Sequence, residues 1–100
     1  MRRGTTPTIS INVKGCDISD FETIYVTFKQ GKTEIEKTGE ELQMSGNQIS
    51  ILLTQEDTLA FSGMGKDVSV QIRAVTADGT AVASNIQTLR VDDILKEGVI

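Results

Sequence analysis

The feature that most constrains this chain is a hydrophobic period of two. Ile9, Ile11 and Val13 alternate with Ser10, Asn12 and Lys14. Ile24, Val26 and Phe28 alternate with Tyr25, Thr27 and Lys29, and Val68, Val70, Ile72 and Ala74 with Ser69, Gln71 and Arg73. Successive side chains of an extended strand point to opposite faces, so this pattern buries one face and wets the other. Antiparallel sheets sharing one core are the expected result. Ile49, Ile51 and Leu53 supply another such strand. "TEIEKT" at 33–38 has only Ile35 as an apolar residue. It reads as an edge strand, guarded against edge-to-edge pairing by Glu34, Glu36 and Lys37.

Turn residues punctuate these runs. Gly31 in "KQGKT" allows a tight turn, "MSGNQ" marks another, and "SGMGK" reads as a flexible return. The Asp-Gly of "TADGTA" predicts a hairpin with a type I′ turn. "TQEDTLAF" breaks the period: Thr54 suits an N-cap, and Asp57 three residues on completes a variant of the capping box. Glu56 and Asp57 then lie where a helix dipole favours anions. One short helical turn is expected there, dropping Leu59 and Phe61 into the core. The return strand at 81–91 changes phase, because Val82 and Ile86 share one parity and Leu89 and Val91 the other. A β-bulge between Asn85 and Thr88 would reconcile them.

About six or seven short strands with regular turn signals predict an all-β fold, an antiparallel immunoglobulin-like β-sandwich with one short helical turn. The connection after Leu53 would cross from one sheet to the other. The Cys…Trp…Cys core of antibody domains is absent, so that likeness is architectural. A small closed barrel is the alternative. The length fits one domain over 1–100, with an extended arm at 1–7 and a tail at 92–100. With no Trp, one Tyr and three Phe, the core must be aliphatic.

Composition removes several kinds of function. The net charge of −4 disfavours phosphate backbones, so no nucleic acid is expected as a partner. No apolar run is long enough for a membrane helix, and the Arg-Arg start is followed by no apolar signal region. No histidine is present, which removes the usual general base, the common triads and histidine metal sites. Cys16 is the only cysteine, so neither an internal disulfide nor structural zinc is available. It adjoins Asp17, whose charge opposes the thiolate, so no reactive thiol is expected. "GMGK" lacks the phosphate-loop spacing, and Asp67 follows its lysine. Glu34/Glu36, Glu40/Glu41, Glu56/Asp57 and Asp92/Asp93 are adjacent acids, and paired acids hydrolyse glycosides only across a cleft of set width. Asp17 and Asp20, or Asp92 and Asp93, are calcium-ligand types without an EF-hand pattern. The expectation is no enzyme, no cofactor and no metal. Arg2, Arg3 and Lys14 form a basic cluster at the front, either solvated or set against an acidic partner.

The lead "MRRGTTPT", with "ISILLTQEDTLAF", "VSVQIRAVTADGTAVAS" and "VDDIL", resembles small proteins encoded in the structural-gene region of prophages of Gram-positive gut bacteria. Matching positions are Arg2 to Pro7, Leu53 to Thr58 and Gln71 to Arg73, and the likeness spans nearly the whole chain. The resemblance implies a non-enzymatic tail or baseplate assembly module in a virion, made in the bacterial host cytoplasm. Its partners would be other phage structural proteins or further copies of itself. The lead-in would then be an assembly arm: Pro7 favours extended backbone, and Arg2, Arg3, Thr5, Thr6 and Pro7 would add to a neighbour's sheet edge. Glu34 and Glu36 would be the acceptor on that neighbour. Three other readings compete: an inert first strand with a frayed tip, a carbohydrate- or ligand-binding sandwich using Tyr25, and an inhibitor of a host enzyme.

Overall fold

The computed structural model describes residues 1–15 and 17–100; the expectation for the Cys16 thiol lies outside the described residues. The strands are β1 (Thr8–Asn12), β2 (Phe21–Gln30), β3 (Thr33–Thr38), β4 (Leu42–Ser45), β5 (Gln48–Leu52), β6 (Asp67–Thr76), β7 (Ala81–Ala83) and β8 (Gln87–Arg90). A short helix α1 (Gln55–Leu59) separates β5 from β6. The strands make two antiparallel sheets. One has the order β1-β5-β4; the other is β3-β2-β6, with β7 and β8 sharing the far side of β6. This is a β-sandwich measuring 47 × 23 × 19 Å. The crossing after Leu53 runs through α1 from the smaller sheet to the larger, as expected.

The alternating residues meet between the sheets. Val26, Phe28, Ile49, Ile51, Leu53 and Val68 are wholly buried, with Ile24, Val70, Ile72 and Ala74 close behind. Each buried Val, Leu, Ile or Phe side chain contributes about 1.5–3 kcal/mol. Phe61 also enters this core, whereas Leu59 stays half-buried. No buried side-chain nitrogen or oxygen among the described residues lacks a hydrogen-bond partner.

Thr54 and Asp57 form the expected box: the Asp57 amide donates to Thr54 Oγ1 at 3.1 Å and the Thr54 amide to Asp57 Oδ2 at 2.9 Å. Elsewhere the structure departs from expectation or refines it. β4, where only Leu42 and Met44 alternate with Gln43 and Ser45, is not among the expected strands; it completes a hairpin with β5 and brings the described strands to eight. The Asp78–Gly79 turn is not type I′, because only Gly79 has a positive φ (88°). The Gly79 amide donates to Thr76 O, and the Asp78 carboxylate takes the Thr80 amide. That makes a three-residue loop ending in a left-handed glycine.

The return strand is broken rather than continuous: Arg73 faces Ala83, yet Val70 faces Gln87, so three steps on β6 answer four on the return. The extra residue is the bulge that the phase change demanded, and it leaves Ile86 exposed. Ser84 holds the break, its Oγ accepting the Ile72 amide at 2.9 Å. Finally, "SGMGK" is pinned, because Gln30 takes the Ser62 amide and donates to Ser62 O.

β3 is an edge strand, but Lys37 does not guard it. Its neighbour on β2 is the buried Val26, so its side chain points inward and is 12% exposed. Lys37 Nζ lies 2.8 Å from Asp57 Oδ2 and 3.5 Å from Glu41. Burial works against both charges. The Lys37 hydrogen bond and the Thr54 amide outweigh it for Asp57, whose carboxyl stays below its ordinary range. Asp57 and Glu41 outweigh it for Lys37, whose ammonium is held above.

Candidate functional site

The residues singled out at the front of the chain are engaged at one end of the sandwich, with the chain's own last ten residues. The Arg3 amide donates to Asp92 O at 2.9 Å and the Asp92 amide to Met1 O at 2.7 Å, a parallel bridge that continues the line of β8. Arg3 is the centre of this plait, with a side chain 13% exposed. Its Nε donates to Phe61 O at 2.6 Å and its Nη2 to Leu59 O at 3.1 Å, which satisfies carbonyls left open where α1 ends. Nη1 reaches Asp93 and Glu97, each at 2.7 Å. The hydrogen bonds it donates to Glu97 and then to Asp93 hold the guanidinium above its ordinary value. The Asp93 carboxyl is held below its own by the Ile94 amide and then by Arg3.

The other lead-in residues are fastened less tightly. Arg2 donates to Asp93 O at 2.6 Å. Thr5 Oγ1 donates to Arg2 O, and Thr5 O accepts from the fully buried Thr58 at 2.9 Å. Thr6 is exposed, and Pro7 O accepts the Leu53 amide at 3.0 Å. Gly4 (φ 72°) packs so closely that an added Cβ would lie 2.9 Å from Ile94 Cδ1. The lead-in thus crosses from the larger sheet to the smaller and closes the sandwich at this end.

Glu34 and Glu36 lie elsewhere, on the outer face of the larger sheet opposite Lys29 and Thr27. Nothing in the chain brings Arg2 or Arg3 to them. Lys14 is carried to the far end of β1, so the three basic residues form no cluster; it borders a groove of about 440 Å³ floored by Phe21, Ile72 and Val82. Tyr25 stands 41% exposed in a shallow dish of about 500 Å³ on the outer face of the larger sheet, beside Glu36, Gln71 and Arg73. Asp17 caps the turn at Ile18–Asp20 through the Ser19 amide. Among the described residues no group of three His, Cys, Asp or Glu could hold a metal ion. No helix among the described residues is long and apolar enough to cross a membrane.

The plait also holds apolar side chains outward. Leu95 is fully exposed, and Val99 and Ile100 are largely so. Their backbone is anchored on both sides, by Ile94 against Gly4 and by Gln55, which bonds Ile100 N at 2.9 Å and Ile100 O at 3.1 Å. The carboxylates that bind Arg3 lie 90 and 94 positions away, out of reach of any local pattern. The available signal was the complementarity between a basic front and the acids Asp92, Asp93 and Glu97 of the tail. No family model matches the chain, and no curated protein matches it significantly.

Proposed function

We propose that this chain is a non-enzymatic assembly module of a phage virion, of the tail or baseplate region, working through protein–protein contacts. The observation that carries the reading is the anchored tail that presents Leu95, Val99 and Ile100 to solvent. Apolar side chains fixed in an exposed array favour a partner that covers them. The resemblance of Arg2–Pro7, Leu53–Thr58 and Gln71–Arg73 supplies the virion context. In this reading Arg2, Arg3 and Thr5 act indirectly, by holding the presenting segment. Particles induced from a bacterium carrying the gene should contain peptides of this protein by mass spectrometry. Leu95→Asp should deplete them without changing the circular dichroism of the purified protein. Particles free of the protein overturn the reading.

A ligand-binding sandwich is the second reading, favoured by the single exposed aromatic, Tyr25, lying in a dish with Gln71 and Arg73. Sugar titrations followed by the Tyr25 ring signals test it. No shift for any common cell-surface glycan removes it.

A further inference from the structure

The smaller sheet ends at β1, which pairs only with β5. The phase of that ladder is fixed by two bonds: the Val13 amide donates to Asn47 O at 2.8 Å, and the Leu53 amide to Pro7 O at 3.0 Å. Antiparallel ladders alternate, so Pro7, Ile9, Ile11 and Val13 spend their backbone groups on β5 and its flanks. Thr8, Ser10 and Asn12 therefore turn their N–H and C=O groups away from the sheet. Among the described residues no hydrogen bond meets them from that side. Their side chains are exposed, and none is charged.

The other edges are protected or short. β3 carries the exposed Glu34 and Glu36. β4 has four residues and follows Glu40 and Glu41 directly. β7 has three residues, and β8 leads into the plait. Among the described residues only "TISIN" offers five residues of uncharged, regular edge.

We infer that β1 pairs antiparallel with β1 of a second copy, about a two-fold axis at Ser10, joining the two smaller sheets into one of six strands. The strand is complementary to itself in both respects that pairing requires. With Ser10 opposite Ser10, Thr8 meets Asn12, and the outward-turned residues of both copies coincide. Three pairs then exchange two bonds each. The same register sets Ile9 against Ile11 and Val13 against Pro7 on the inner face, which covers the half-buried Ile9 and Val13. No like charges meet, because the strand has none, and Lys14 falls opposite Thr6. A two-fold axis makes the interface isologous and closed, so the product is a dimer and not a filament. One five-residue strand is a small interface, and the dimer forms at the upper end of accessible concentrations.

This inference rests on the assembly reading, of which it specifies one contact. Sedimentation velocity from about 10 μM to about 1 mM tests it. The wild type should shift from monomer to dimer. Ser10→Lys and Ser10→Glu should each weaken the dimer about fivefold or more, because like charges would face across the axis. An equimolar mixture of the two should restore it, since residue 10 of one copy meets residue 10 of the other. Ser10→Pro removes an N–H that β5 does not use, and it should abolish association with the circular dichroism unchanged. A wild type monomeric at 1 mM overturns the inference, as does a dimer indifferent to Ser10→Lys or a mixture that stays monomeric. Each of those outcomes leaves the virion reading to its own test, which turns on particle content and Leu95.

Discussion

Arg3 is the residue whose removal should cost most for its size. Its guanidinium serves two backbone carbonyls and two carboxylates from a largely buried position. Arg3→Ala leaves the Leu59 and Phe61 carbonyls without their donor, and should lower stability by about 2–3 kcal/mol in urea titrations read by circular dichroism. Arg3→Lys keeps the charge but loses the fork, and should recover less than half of that. An Arg3→Ala midpoint within error of the wild type would make the cluster ornamental. Little of this was legible beforehand. Sequence reading leaves Arg3 either solvated or set against an acidic partner, because the acids that bind it within the chain lie 90 and 94 positions away. The Thr54–Asp57 box was legible, since a cap and its partner sit three residues apart and need no tertiary information.

Among the elements, α1 is held to β3 by the pair Lys37–Asp57. Asp57 titrates in the folded state below its ordinary value, so its contribution is complete above that value and is lost as pH falls through the folded pKa. Lys37 titrates above its ordinary value, so its contribution is complete below that and is lost as pH rises through the folded pKa. Asp57→Asn preserves an oxygen for the Thr54 amide and removes only the ion pair. It should lose about 1–2 kcal/mol at pH 7, and its melting temperature should fall less than the wild type's between pH 5 and pH 3. Equal acid slopes would mean the pair is not what titrates. Lys37 was misread because alternation identifies two faces without saying which one closes over the helix. The return strand shows the opposite case, since the conflicting parities of Val82 and Leu89 by themselves require an inserted residue. Ser84 holds that insertion, and Ser84→Ala strips the Ile72 amide of its acceptor. A loss of about 1–2 kcal/mol is expected in thermal melts; no loss would place the amide in contact with water.

At the scale of the whole molecule, the sandwich is closed at one end by segments from opposite ends of the sequence. Removing residues 91–100 deletes the buried Val91 and all the anions of Arg3. The melting temperature should fall by on the order of 15 °C, as about 3 kcal/mol does in a domain of this size. An unchanged melt would show the plait to be peripheral. The general architecture was readable because alternation and turn residues carry it; the closure was not, because it joins positions 90 apart. That separation also orders events in time. A ribosome adding about 5–20 residues per second needs roughly 5–18 s to reach Asp93 after making Arg3. Throughout that interval the lead-in has no anion to bind, and the tail that presents Leu95 does not yet exist. The plait therefore closes only after every described strand has been made, and the exposed set of Leu95, Val99 and Ile100 is fixed only then.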